Sequence, residues 1–350
     1  MSAVTDHRIF VGTAGQAVWR SDDGKAFRLS CGEMFMEAEV RALAVDPANP
    51  RILYAGTDAG LYRTEDAGDH WRRLPGPFDA GEGWQAGIVI WSLLVSPSHP
   101  GTLFVGVCPG GLYRSQDNGV TWLKLQTPIS PTCGYIRYSR VTCLIADTAG
   151  TKEAMSDEEG NKEGSGGEVV WAGVEIDGLW RSGDQGETWE RRDKGMSSPD
   201  IHALAILPAT ATRPKTLLAS TNNDLNLSTD DGLTWQPQNI GTVFPHNYCR
   251  GLLYNAASPA TLFAGNGNGP PGNTGSLQMS SDAGLHWQAA DLPVSPNSTV
   301  WTFASHPALP NLIYAACVLG YIYVSVDAGA TWQKCAHEFG EIRSLAVTPV

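Results

Sequence analysis

One eight-residue pattern recurs seven times along this chain, and that recurrence limits the fold more than any other feature. Anchored on its last residue, an aromatic, it reads RSDDGKAF (20–27), TEDAGDHW (64–71), SQDNGVTW (115–122), SGDQGETW (182–189), STDDGLTW (228–235), SSDAGLHW (280–287) and SVDAGATW (325–332). A hydroxyl, an aspartate, a glycine and an aromatic return at fixed offsets. Only the first copy departs, with Arg20 and Phe27 in place of the hydroxyl and the tryptophan. A binding site occurs once; a structural device repeats. Self-similarity at roughly 40–50 residues marks a propeller or solenoid. Length alone would suggest two domains, but the repeat predicts one domain over residues 1–350.

Each unit can be read from VRALAVDPANPRILYAGTDAGLYRTEDAGDHWRRL (40–74). It holds three short runs of β-branched and apolar residues and a fourth that begins at Trp71, with turn residues between them. This predicts a four-stranded antiparallel blade with the repeated motif in the turn between its third and fourth strands. There Thr64 and Asp66 can bond turn N–H groups, Gly68 can supply a positive φ, and Trp71 can pack between blades. The third-to-fourth interval is lengthened by GTKEAMSDEEGNKEGSGGE (150–168), which has almost nothing apolar to bury and is expected to be a disordered insertion.

The copies resemble the Asp-box, or bacterial neuraminidase, repeat S-x-D-x-G-x-T-W of sialidases, xyloglucanases, sortilin-type receptors and a photosystem II assembly factor family. The resemblance covers essentially the whole chain and implies an all-β propeller. It implies no single activity, because one repeat serves several. Sialidases of this kind combine an arginine triad with a tyrosine–glutamate pair on six blades. Here seven blades are expected, with no FRIP-like stretch near the N-terminus. Xyloglucanases of this kind place their acids in a cleft between two propellers, and one propeller is expected here. The assembly factors match in size and blade number, carry arginines on one face, and bind protein.

The two ends of the chain predict how the ring closes. HRIFVGTAGQAVWRSDDG begins at a second strand, while EIRSLAVTPV is a lone first strand that matches EVRALAVDP (39–47). Together they supply one blade, a closure that leaves the ring no free sheet edge. If first strands run from top to bottom, all seven motifs lie at the bottom periphery. Their aspartates are then turn-formers and not catalytic acids. The insertion also falls on the bottom.

Composition narrows the partners. A net charge of −12 gives no basic footprint for nucleic acid. No run reaches transmembrane length, and MSAVTDHRIF has no signal-peptide pattern. A cytoplasmic monomer without membrane partners is expected. The seven cysteines are odd in number and lack CxxC spacing, which argues against disulfides and a zinc site. No metal or cofactor is expected. Cys108, Cys133, Cys249 and Cys317 lie near predicted top loops, where a nucleophile is conceivable, although free cysteine is usually a small buried hydrophobe.

Function is expected where the first strands begin, since seven segments converge there on the channel. Aligning VRAL, IWSL, TCL, IHAL, CRGL, VWTF and IRSL places Arg41, Trp91, Thr142, His202, Arg250, Trp301 and Arg343 around one mouth, with Arg140 two residues before Thr142. The fourth-to-first connections GEGWQAG (81–87), PTCGYIR (131–137) and FPHNYCR (244–250) converge there too. Guanidinium forks suit carboxylate, sulfate or phosphate, and indoles suit a flat or sugar-like body. The competing reading is structural: Glu39, Asp200 and Glu341 stand two residues before Arg41, His202 and Arg343, on the same side of a strand. Arg140 and Arg250 have Tyr138 and Tyr248 at that spacing and no built-in acid. Glu175 and Asp58 are the carboxylates placed for general acid or base work, with His202 and His246 as further proton-transfer candidates. GNGNGPPGNTG (265–275) precedes no helix start and is expected to be a flexible top loop, not a phosphate loop.

These residues predict binding of a small anionic organic molecule at the top of the channel, with hydrolase or lyase chemistry if the protein is an enzyme. The alternative is a non-catalytic scaffold that presents the same arginines to an acidic protein partner.

Overall fold

The computed structural model describes residues 6–78, 87–148, 167–256, 258 and 260–350. In the repeat that begins at Val40, strands Val40–Asp46, Asn49–Thr57, Gly60–Thr64 and Arg72–Arg73 form one antiparallel sheet in chain order. Five more sheets repeat that order from inner strands Val89–Val95, Arg140–Asp147, Ile201–Leu207, Tyr248–Tyr254 and Val300–His306. The seventh takes its inner strand, Ile342–Pro349, from the C-terminus and pairs it with His7–Thr13, followed by Val18–Ser21 and Arg28–Leu29. Each inner strand packs on the next, and Ile342–Pro349 packs on Val40–Asp46. The result is a closed seven-bladed β-propeller. Its cores lie between blades: Phe10, Val40, Tyr62 and Trp71, for example, pack together fully buried.

The register fixes which end each feature occupies. Val40 pairs with Thr57, which pairs with Gly60, at one end of the blade; Leu53 pairs with Val45 and Thr64 towards the other. The repeated motif therefore lies at the end opposite the start of the inner strand. In the third copy Ser115 Oγ donates to Asp117 Oδ1 (2.8 Å) and accepts the Gly119 N–H (2.9 Å). Asp117 also accepts the N–H groups of Val120 and Thr121 and the Thr121 hydroxyl. The chain passes through two left-handed residues, Asn118 (φ 60°) and Gly119 (φ 85°), which the aspartate network holds in place. His70 and His286 take the threonine's part in the second and sixth copies, bonding Asp66 and Asp282 through Nδ1.

The first copy is not missing its hydroxyl. Ser21 ends the third strand as Ser115 does and donates to Asp23, which accepts the N–H groups of Lys25 and Ala26. The turn is one residue shorter, so alignment on the aromatic end shifts the hydroxyl and aspartate by one place. Asp22 instead binds Arg8 and Arg20.

Near its top, each inner strand carries a bulge. Arg41, Trp91, Thr142, His202, Trp301 and Arg343 are each skipped in the pairing of their strand with the second strand, and the slip at Cys249–Leu252 includes Arg250. A bulge re-aims the side chain it carries. Opposite five of the bulges stands a glycine: Gly12, Gly56, Gly106, Gly173 and Gly265. At Gly265 a Cβ would overlap the Val300 carbonyl oxygen and lie 2.9 Å from its carbon, so the missing side chain lets the next blade's inner strand approach.

Two expected loops differ. Residues 265–275 are not free: Asn268 bonds Asn273 twice, and Thr299 bonds Gly269 and Pro271 from the next blade. The insertion expected over 150–168 lies outside the described residues except Gly167 and Glu168. Glu168 is buried and fixed, accepting bonds from the Ser96 hydroxyl (2.7 Å) and the Ser98 N–H (3.1 Å).

Gly265→Ala should destabilise the protein by about 1–3 kcal/mol, because the neighbouring group is backbone that cannot swing aside; denaturant titration measures it. A second expectation concerns pH. The hydroxyl and N–H of Thr121 hold the Asp117 carboxyl down at about 2, and those of Thr234 do the same for Asp230. Since the unfolded value is about 3.9, these turns contribute stability above pH 4 that fades as pH falls from about 4 to 2. Asp117→Ala should cost about 1 kcal/mol near neutrality, as a lost cap does. The gap between wild-type and mutant melting curves should narrow towards pH 2.

Candidate anion-binding mouth

The seven bulge residues surround the upper part of a cavity of about 290 Å3 in the channel. Below them Leu43, Leu93, Leu144, Leu252, Phe303 and Leu345 form an apolar floor. The rim is cationic and aromatic. The guanidinium carbons of Arg41 and Arg140 lie 4.2 and 4.7 Å from the Trp91 ring, and those of Arg250 and Arg343 lie 4.2 and 5.6 Å from the Trp301 ring. Each indole thus serves two cations. Going round the ring, the order Arg140, Trp91, Arg41, Arg343, Trp301, Arg250 makes one continuous arc, with His202 and Thr142 completing the circle.

These cations repel one another in a partly dehydrated place. Burial lowers the Arg41 guanidinium from its ordinary range; Glu39 opposes the shift, and Arg343 and Arg140 add to it. Arg343 is lowered in the same way, with Glu341 and Glu39 opposing and Arg250 and Arg140 adding. Arg41 is ion-paired with Glu39, and Arg343 with Glu341.

Arg140 is not partnerless as its sequence neighbours suggest. Its Nη1 donates to Glu175 Oε2 at 2.7 Å, because pairing of the first and second strands puts the two residues opposite each other. Glu175, expected as a general acid or base, is thus half of an ion pair. Arg250 keeps the expected arrangement: it is 9% exposed and has no ion-paired carboxylate among the described residues.

Beside Arg250 lies the rest of the polar cluster. The His202 side chain is buried, with Nδ1 2.6 Å from the Cys249 carbonyl oxygen of the next blade and its ring tilted against Tyr248 at 5.1 Å. Burial and then the Arg250 charge push its pKa down, against the pull of Asp200, whose Oδ1 is 3.5 Å from Nε2. Burial raises the Tyr248 hydroxyl, with Arg250 pulling the other way.

Five candidates do not line the cavity: Arg140, Glu175 and Tyr248 stand behind its rim, and Asp58 and His246 belong to loop contacts. Asp58 accepts the Glu39 N–H at 3.0 Å, a loop-fixing contact, and burial raises its carboxyl. The carbonyl of His246 accepts a bond from Asn266 Nδ2, so that loop is anchored through its backbone. Residues 81–86 of the GEGWQAG connection lie outside the described residues. Sequence reasoning missed the apolar floor and the meeting of Glu175 with Asp200, which belong to different blades. The inward aim of residues two below each bulge was the available signal for the floor.

No protein-family model matches the chain. It is 28% identical over 166 residues to the xyloglucanase Xgh74A of Acetivibrio thermocellus, an alignment that covers 43% of this chain and 19% of that protein. The fold is shared with a GH74 enzyme of Niastella koreensis (TM-score 0.60, 14% identity, 96% of this chain and 65% of that one). It is also shared with YCF48 in a structure with bound D1 peptide (TM-score 0.54, 16% identity, 85% and 82%). The chain spans about a fifth of the curated relative's length. Its relatives therefore include hydrolases, and at these structural identities the likeness establishes the fold alone.

The thiols can be tested directly. Burial pushes Cys143 and Cys335 up to about 11 and Cys317 to about 12, and raises Cys249 further. It also raises Cys108, whose neighbour Arg140 opposes the shift. At pH 8 iodoacetamide should modify Cys31 and Cys133 in the native protein and the four most shifted thiols only after denaturation, as read by peptide mass spectrometry. Labelling of Cys108 faster than a free thiol would mark it as an activated nucleophile instead.

Proposed function

We propose that the channel mouth binds a small organic anion, of carboxylate, sulfate or acidic-sugar type, between its arginines and above its apolar floor. The observation that carries this reading is Arg250: a guanidinium held against Trp301, facing the cavity, with no ion-paired carboxylate among the described residues. A ligand anion would supply its missing partner and relieve the repulsion along the arc. The cavity volume sits at the small end of ligand pockets. If the protein is an enzyme, its relatives favour hydrolysis; His202 lines the cavity and could move a proton, with Glu175 and Tyr248 next to it outside the lining.

One observation favours a second reading, a scaffold for an acidic protein partner. The hairpin Thr132–Cys133/Arg137–Tyr138 stands at the same end of the ring, tied to Asp177 through the Ser130 N–H, and its tip carries Tyr135 at 89% exposure. The fold likeness to YCF48, described with a bound peptide, covers more than four fifths of both chains.

Isothermal titration with citrate, glucuronate, sulfate and an acidic peptide separates the two. A small anion should bind the wild type, and Arg250→Ala should lose about 1.5–3 kcal/mol of that affinity while melting like wild type. Arg41→Ala and Arg343→Ala should lose stability as well, since each leaves Glu39 or Glu341 unpaired. Normal binding by Arg250→Ala would reduce the arginines to an inter-blade network. Binding of the peptide but of no small anion would favour the scaffold.

A further inference from the structure

We infer that Glu175, Asp200 and His202 form a site for a divalent transition-metal ion, with Zn2+ the best match, on the rim of the channel mouth. Three strand ends assemble it. Glu175 closes Val169–Glu175, His202 lies in Ile201–Leu207 of the next blade, and Asp200 immediately precedes that strand. One ligand atom from each lies within 4.8 Å of the others. An imidazole with two carboxylates is a donor set that zinc and its neighbours accept.

Two of these atoms face each other without a formed hydrogen bond. The Cys249 carbonyl can only accept, so the imidazole bonded to it at 2.6 Å carries its proton on Nδ1. With Nδ1 so held, the ring, on a side chain that is 1% exposed, aims Nε2 towards the Asp200 carboxylate. Asp200 Oδ1, 3.5 Å away, is buried with no hydrogen-bond partner among the described residues. That distance lies outside the range of a formed bond. A buried carboxylate oxygen without a hydrogen-bond partner is unfavourable unless something positive stands against it. The carbonyl contact on Nδ1 is also how metal-binding histidines are commonly oriented.

Glu175 completes the set. Its Oε2 holds Arg140, while Oε1 has no bond among the described residues. Tetrahedral metal bonds of about 2.0–2.2 Å place ligand atoms roughly 3.3–3.6 Å apart; His202 Nε2 and Asp200 Oδ1 already stand 3.5 Å apart, and the Glu175 oxygen, within 4.8 Å of both, must approach by up to ~1.4 Å. The flexible glutamate can supply that. Arg140 and Arg250 oppose a cation here, which favours an ion that binds imidazole tightly over Ca2+ or Mg2+.

The inference does not rest on anion binding, and its test uses none. Chelator-treated protein is titrated with Zn2+ by calorimetry and with Co2+ by visible absorption, in a buffer without coordinating anions. One equivalent should bind and raise the melting temperature. Asp200→Asn should weaken binding at least tenfold, whereas Cys108→Ser and the double variant His70→Ala/His286→Ala should leave it unchanged. Absence of a saturable equivalent at micromolar Zn2+ would overturn the site. So would wild-type affinity in Asp200→Asn, or loss of binding in Cys108→Ser. His202→Ala removes a buried ring and is informative only where its melting curve shows a folded protein; there it should not bind.

Discussion

The bulge near the top of each inner strand is the constraint on which the rest of this propeller depends. In a regular strand, residues alternate between the two neighbouring blades, and the channel end would be lined as the pleat dictates. An extra residue at the same height in all seven inner strands turns one side chain per blade towards the axis. It also turns aside the carbonyl just before it, and at four of the bulges a side chain of the preceding blade takes that carbonyl up. Ser92 bonds the Val141 oxygen, Thr142 the Ile201 oxygen, His202 the Cys249 oxygen and Ser344 the Val40 oxygen. One local irregularity thus both aims the mouth residues and fastens blade to blade. The glycines opposite the bulges leave room for that fastening.

Much of the fold was legible because the repeated turn is a covalently local device. A hydroxyl, an aspartate and a glycine within five residues satisfy one another's hydrogen bonds without reference to the rest of the chain, so their spacing survives in the sequence. The first copy shows the limit. Its turn is one residue shorter, and a fixed-offset alignment gave Arg20 the place that Ser21 fills. Glu168 shows a different limit: it belongs to a polar, charged stretch by composition, but Ser96 and Ser98 of another blade make it a buried acceptor. Composition describes a segment's average, and burial is decided residue by residue.

The mouth was half legible for the same reason. Glu39 with Arg41 and Glu341 with Arg343 are two residues apart on one strand, and strand geometry alone brings them together. Arg140 with Glu175 is a cross-strand pair whose register depends on the bulge, and Glu175 with Asp200 and His202 spans two blades. No spacing rule in one sequence contains those meetings. In the Arg250 blade the place of Glu175 is taken by Gly267, which pairs with Tyr248 as Glu175 pairs with Arg140, so that register position offers no carboxylate.

Charge ties the two ends of this cluster together. Glu175 sits between them, with one oxygen on Arg140 and the other directed to no bonded group among the described residues. A cation shared by Glu175, Asp200 and His202 would draw electron density from that carboxylate and loosen its hold on Arg140. Arg140 would then be available, beside Trp91, to an anion in the cavity, which would in turn offset the cation's repulsion by Arg250. The two occupants would strengthen each other, and linkage requires that the strengthening be mutual. Without either, the arc is partly neutralised by its own carboxylates at Arg41, Arg140 and Arg343, and only Arg250 stands unpaired among the described residues. On these two proposals, the cationic character of the mouth towards a ligand would depend on what its acids are holding.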